Sequence, residues 1–353
     1  CRWYGHLLGV GATLYEEKNR TMNKPPKQFQ SVSAADLRRF AGAVFQSVGM
    51  PPAKADFLAG LLVTNDLRGI FSHGTVQVTA YARLFREGHL TPDSEVTTVS
   101  ETSTTLVLDG GGGLGYFPCY EAATRLIAKA KQHSIAVATT RNHGHFGAAG
   151  IYARLPLAEG LFCFVTSGHQ LNLQPGDFVM KAAGGSPMAF AIPTGEEPPF
   201  VLDFGAAHDL YIGPDKMRTI MEMVPSAVLR SYGLGCACQA LGGLLCGLPL
   251  DPATATRERP RANQGSMMIA VDLAALTPIE PFKKEMDEYA RAVRAMTPIP
   301  GMDEARLPGG VEWDRERRYE QEGVPVSPEH AKALRQLAED YAVAPLEGIR
   351  ETS

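Results

Sequence analysis

The chain carries no basic surplus: 34 Lys and Arg stand against 38 Asp and Glu, a formal net charge of −4. Without a positive field to attract a phosphate backbone, nucleic acid is not the expected partner, and a small-molecule substrate is. Cysteine is scarce and unpaired in pattern. Cys1, Cys119, Cys163, Cys236, Cys238 and Cys246 fall mostly in apolar runs, with neither zinc-clip spacing nor that of a secreted disulfide framework. Buried thiols in a reducing compartment, the cytoplasm, are expected. Cys236-Ala237-Cys238 lies in the stretch 234–248, which reads as a small-residue packed helix rather than a metal clip. Residues 1–21 lack a long apolar run and include Glu16-Glu17-Lys18-Asn19-Arg20, so neither a secretion signal nor a membrane helix is expected there. Residues 1–28 read as a disordered or non-native extension, with Met22 as a native start in one reading. There is no internal repeat and no low-complexity linker.

What is present suits a large folded chain: 353 residues, 44% hydrophobic and 20% charged, support a sizeable core or two to three lobes. Leu37, Phe40, Ala41, Val44, Phe45 and Val48 recur at helical spacing up to Gly49, behind a capping-box-like start at Ser33 and Asp36. Further helices are expected over 52–66, 76–86, 117–131 and 281–296, and from Ser327, with Pro328 in the first turn, to 341. Short β-branched or apolar runs predict strands at 96–99, 104–109, 135–140, 161–166, 189–192, 200–204 and 267–271. Strands crowd the middle and helices the ends. This predicts a helical domain made of 29–95 with 297–353, its N- and C-terminal segments packed together, and a sheet domain over 96–296.

Two histidine turns stand out, Arg68-Gly69-Ile70-Phe71-Ser72-His73-Gly74 and Arg141-Asn142-His143-Gly144-His145-Phe146-Gly147. Each sets an imidazole among glycines, where backbone can approach a small ligand and the ring can exchange a proton near neutral pH. One such turn alone reads as a satisfied loop histidine; two carry more weight. Asp66 and Arg68 are expected to pin the first. His143 and His145 read either as a metal pair or as separate groups, and no carboxylate at ligand spacing supports the pair. Gly110-Gly111-Gly112-Gly113-Leu114-Gly115 satisfies the dinucleotide fingerprint between a strand and a helix, yet the following strand ends in Arg141 where a ribose-binding acid belongs.

The segment Asp66-x-Arg68-Gly69-x-x-Ser72-His73-Gly74 and the turn His145-Phe146-Gly147-Ala148-Ala149-Gly150 resemble the malate/L-lactate dehydrogenase family that lacks a Rossmann domain. That group includes ureidoglycolate, sulfolactate and diketogulonate dehydrogenases, and the likeness runs over about 33–337. It implies an α/β fold with a large, mostly antiparallel mixed sheet, helical termini combined in one domain and a small accessory helical region. The glycine run then serves chain reversal. The resemblance further implies NAD or NADP as cofactor, and hydride transfer between it and a small 2-hydroxy acid, its 2-oxo counterpart or a related imine. His73 and His145 match proton-transfer positions, with a slight preference for His73 as donor, and Ser72 would orient the ring or bind the substrate oxygen.

Cofactor contacts implied by the same likeness are Asp203, Phe204 and Gly205 closing an apolar strand, Ser167, Ser186, Arg230, and Gly309 and Gly310 in a late turn. A homodimer packing through 240–247 is implied as well. Three departures bear on substrate and cofactor. Gln77 stands where members carry a carboxylate-clamping arginine, so the substrate lacks that carboxylate or Arg141 or Arg261 supplies the clamp. The stretch between Asp203 and Ser231 is shortened, with Arg230 at a lysine position. Ser167-Gly168-His169-Gln170-Leu171-Asn172 has no counterpart, and forms either a pocket in which His169 meets the substrate or a loop held by its own amides. Against the enzyme stands a non-catalytic descendant retained for binding or assembly, with a metal-dependent hydrolase further off.

Overall fold

The computed structural model describes residues 24–210 and 214–346; of these, residues up to Asp93 and from Val311 form one compact unit, and Ser94–Gly310 a second. The extension expected over 1–28 lies, up to residue 23, outside the described residues. Among the described residues no helix is long and apolar enough to cross a membrane. In chain order the strands are β1 (Gln30–Val32), β2 (Thr97–Glu101), β3 (Thr105–Asp109), β4 (Ile135–His143), β5 (Leu161–His169), β6 (Pro187–Ile192), β7 (Phe200–Gly205), β8 (Gln264–Asp272) and β9 (Val324–Val326).

The first unit is helical. Ala34–Ser47, Pro52–Leu67 and Val78–Arg86 come from the N-terminal part, Gly310–Glu322 and Pro328–Asp340 from the C-terminal part. The antiparallel pair β1 and β9 ties the two parts together. Leu37, Phe40, Ala41, Val44 and Phe45 are all buried on one helix face, as their spacing requires. The capping box does not form: Ser33 makes no side-chain cap bond, and Asp36 pairs with Arg39 at 2.6 Å instead. Ser327 does cap its helix, its hydroxyl accepting from the His330 N–H at 3.2 Å.

The second unit is built on a seven-stranded sheet in the order β2-β3-β4-β8-β5-β6-β7. Only β3 and β4 run parallel; every other pairing is antiparallel. A parallel pair needs a crossover, and the helix Tyr116–His133 supplies it, burying Cys119, Ala122, Ala123, Leu126 and Ala130. Central strands are almost wholly buried: Leu161, Cys163 and Val165 of β5, Met267, Met268 and Ala270 of β8. The edge strand β2 is exposed at every position, and its Thr-Thr-Val-Ser-Glu sequence suits an edge. The stretch expected as one helix over 234–248 is the end of a longer helix, Pro225–Gln239, followed by a wide turn at Ala240–Leu244.

The glycine run 110–115 lies against the second histidine turn. Gly112 and Gly115 donate their N–H groups to the carbonyls of Asn142 (3.0 Å) and His145 (3.1 Å), and Gly144 donates to Gly113 O at 2.7 Å. A Cβ on Gly115 would stand 2.6 Å from both His143 Nδ1 and Phe146 Cβ. These glycines let one backbone lie directly on the second histidine turn.

Candidate active site

In the first unit, the helix Pro52–Leu67 ends at the Ser72-His73 turn, which is short 3-10 structure over Phe71–His73 and Thr75–Gln77. Four side chains brace it. Asn65 donates its amide N–H to His73 O at 2.8 Å, and Gln77 donates to Ser72 O at 2.7 Å. Asp66 Oδ2 accepts from the Thr75 N–H (2.9 Å) and hydroxyl (2.6 Å), while Arg68 pairs with Glu316 at 3.0 Å. Asp66 and Arg68 thus hold the turn as expected. Ser72 Oγ lies 2.9 Å from His73 Nδ1. With the Nδ1–H donating to the hydroxyl, Nε2, the atom remote from the serine, keeps a free lone pair.

The second turn belongs to the other unit. His143 is wholly buried and burial pushes its pKa down to about 4, so the ring is neutral. Its Nδ1–H donates to Gly144 O at 2.7 Å, which leaves Nε2 to accept from Thr140 Oγ1 at 2.8 Å. Thr140 accepts in turn from Ser266 (2.6 Å), and Ser266 from the Cys119 thiol (3.1 Å). Every donor in this chain has an acceptor, which is what a buried polar network requires. His143 is therefore part of the scaffold, and His145 is the half-buried imidazole of the turn. Among the described residues no group of three or more His, Cys, Asp or Glu is placed to hold a metal ion.

The candidate cofactor residues differ in what they present. Ser167 is buried with its hydroxyl donating to Gly265 O at 2.7 Å, and Ser186, buried at φ 47°, accepts from the Ala207 N–H at 3.0 Å. Those hydroxyls are spent on backbone. Asp203 Oδ2 accepts from the Gly150 N–H at 2.8 Å; Phe204 is exposed and Gly205 half-buried. Gly309, at φ 96°, sits so close to β7 that a Cβ would lie 2.8 Å from Pro199 O, and Val201 N donates to Pro308 O at 2.9 Å. Arg230 is exposed and donates to Ser226 O, and Gly310 opens the helix Gly310–Glu322.

Of the candidate substrate cations, Arg141 is exposed and paired with Asp109 at 3.1 Å, and Arg261 is half-buried. His169 is gripped through its backbone by Gln239, which accepts from its N–H (3.2 Å) and donates to its carbonyl (2.6 Å). Gln170 donates to the carbonyls of Pro249 and Leu171, so amides do hold this loop. Sequence reasoning missed Asn65, Thr75, Gln239 and His330. Only His330 gave a signal, its place three residues after the cap Ser327, and that marks a helix start rather than a contact.

Fold and turns together define a non-Rossmann α/β protein whose glycine fingerprint is consumed by its own backbone and whose Ser-His turn is braced from two helices. The model of the malate/L-lactate dehydrogenase family matches residues 32–208 and 213–335, and the chain belongs to that family. Similar proteins include an L-sulfolactate dehydrogenase of Methanocaldococcus jannaschii, 26% identical over 328 residues, covering 85% of this chain and 94% of that one. Hydroxycarboxylate dehydrogenase B of Escherichia coli is 25% identical over 323 residues, covering 83% and 89%. A malate dehydrogenase structure from Pyrococcus horikoshii superposes with a TM-score of 0.78 at 21% identity, over 92% of this chain and 99% of that one, and shares the fold.

Proposed function

We propose that this chain is an NAD(P)-dependent oxidoreductase that interconverts a small 2-hydroxy acid and its 2-oxo counterpart, or reduces a related cyclic imine. The observation that carries this is the Ser72–His73 pair, 2.9 Å apart on a turn whose backbone is held on both sides of the histidine. Alcohol oxidation needs a group that accepts the hydroxyl proton, and carbonyl reduction one that gives it back. His73 Nε2 serves at the substrate oxygen: with its Nδ1–H donating to Ser72 Oγ, Nε2 is free to take the hydroxyl proton in oxidation, and the imidazolium so formed gives it back in reduction. His145 is the second proton-handling group of the proposal.

A bound nicotinamide would supply the hydride acceptor or donor. The residues suited to hold a dinucleotide are Asp203, whose carboxylate can accept from ribose hydroxyls, the exposed Phe204, and backbone at Gly205, Gly309 and Gly310. Arg230 offers an exposed cation for a phosphate. The hydroxyls of Ser167 and Ser186 do not fit that task, because both are buried and committed to backbone. Buried thiols at Cys119, Cys163, Cys238 and Cys246 accord with a reducing, cytoplasmic setting.

A second copy of the chain belongs to the proposal as well. Leu229, Leu234, Leu241, Leu244, Leu245 and Leu250 are exposed on and after the helix Pro225–Gln239, and packing them against a second copy would remove that apolar surface from water. Light scattering is expected to give a dimer mass, and a monomer at working concentration refutes this part. The function itself is tested by titrating NADH and NADPH against the protein by fluorescence, then assaying oxidation and reduction on a panel of 2-hydroxy and 2-oxo acids. Saturable binding of one dinucleotide with turnover on that panel is expected; binding of neither overturns the reading.

A further inference from the structure

Asp66 is buried at the end of the helix Pro52–Leu67, two hydrogen bonds from Thr75 on one of its oxygens and none on the other, which is also buried. The unpartnered Oδ1 lies where the Cβ of any side chain at position 74 would be, 1.7 Å from that point, so Gly74 is required by this carboxyl group. Thr75 Oγ1 faces a second titratable group, His330 Nε2, at 3.4 Å. His330 is reached across 255 residues of sequence and comes from the helix Pro328–Asp340. No part of the proton chemistry assigned to His73 uses these groups.

We propose that Asp66 is a positioning residue for the His73 turn, and that Asp66, Thr75 and His330 form one buried relay whose hydrogen-bond polarity reverses as a unit. The proposal rests on reading His73 as the proton-transfer group. A threonine hydroxyl has a single proton, so the two ends of the relay cannot be set independently. With Asp66 ionised, Thr75 donates to Oδ2 and accepts from His330 Nε2–H. With Asp66 protonated on Oδ2, the acid donates to Thr75 Oγ1, Thr75 donates to His330 Nε2, and the imidazole proton resides on Nδ1. One proton enters at the carboxyl, and the imidazole changes tautomer by exchange with water without changing charge.

In the ionised state the Thr75 N–H makes a charge-assisted bond, roughly twice as strong as a neutral one. It anchors the segment after His73, while Asn65 anchors the His73 carbonyl itself. Burial raises Asp66 to about 7 against the two Thr75 bonds, and lowers His330 to about 4 against a bond to the Thr75 backbone, so Asp66 is the member that changes charge near neutrality. The other titratable groups packed around the turn are His73 and the Arg68–Glu316 pair, with Arg315 from the helix Gly310–Glu322 against Gly69.

The test combines Asp66→Asn with Thr75→Val in the full chain, read by steady-state kinetics, thermal melting and nitrogen NMR of labelled histidines. In the wild type, the His330 tautomer is expected to change between pH 5.5 and 8.5, and in both variants it is expected not to. Asp66→Asn is expected to lower kcat roughly tenfold or more through turn misplacement, with KM little changed and the melting temperature at pH 8 undiminished. A merely structural carboxylate would instead lose melting temperature and kcat together, and that result overturns the proposal. So does a His330 tautomer that stays constant in the wild type. Because the NMR readout needs no turnover, a protein without dehydrogenase activity would refute the enzyme reading and leave the relay to be judged on the tautomer alone.

Discussion

Acidification should loosen the second unit before the first, and the cause is His143. An imidazole ordinarily titrates near 6.5, and burial holds this one to about 4. The sign follows from linkage: the unfolded chain binds the proton at higher pH than the folded one. The stability of the neutral ring is thus complete above about pH 6.5 and lost as pH falls toward 4. The displacement corresponds to roughly 3 kcal/mol. His169, lowered by burial in the same unit, adds to the loss. In the first unit His330 loses a similar amount, but Asp66 works the other way. Its carboxyl is raised from 3.8 to about 7, so the folded state gains as pH falls through that range, again by roughly 3–4 kcal/mol. The two nearly cancel. Hydrogen exchange at pH 7.5 and 4.5, corrected for intrinsic rates, is expected to show protection around Thr140 and His143 falling about a hundredfold, with that around Asp66 and Thr75 changing far less. Equal loss in both, or a His143 resonance titrating above pH 6, would refute the reasoning.

Four substitutions extend the test. His73→Ala and His145→Ala should each cut turnover by ~10²–10⁴-fold and leave dinucleotide affinity nearly intact, which separate kinetic and fluorescence titrations distinguish; wild-type turnover removes that histidine from the mechanism. Gln77→Arg should gain on simple 2-oxo acids and lose on the native substrate, since a guanidinium binds a carboxylate far more strongly than the neutral amide now donating to Ser72 O. Strong native turnover on pyruvate or malate that survives loss of Arg141 and of Arg261 counts against this account of position 77. Gly115→Ala places a methyl 2.6 Å from His143 and Phe146 and should cost about 1–3 kcal/mol, visible as a lower melting temperature; an unchanged melt shows that the glycine run is not needed for this packing.

Much of the fold was legible in the chain because its signals are local. Helical spacing at Leu37–Val48 and the apolar runs that became β3 to β8 report which residues leave water, and burial at period 3.6 or 2 is written in neighbouring residues. The two histidine turns were legible for the same reason, since Ser72, His73 and the glycines around them are adjacent. The three-residue strands β1 and β9 were not, being too short for any period and stabilised by a partner almost three hundred residues away. The helix Gly310–Glu322, mostly charged, carries no apolar stripe to announce it. The glycine run 110–115 had the spacing of a phosphate loop, and only the tertiary structure showed its N–H groups turned onto Asn142 and His145. The family likeness named Ser167 and Ser186 as cofactor contacts, while the direction of their hydroxyls, inward onto Gly265 and Ala207, is a property of packing. His143 and His145 look alike in sequence; burial and Thr140 make the first a scaffold imidazole. Asp66 and His330 met only when the chain's two ends folded together, because hydrogen bonds between distant residues leave no trace in local composition.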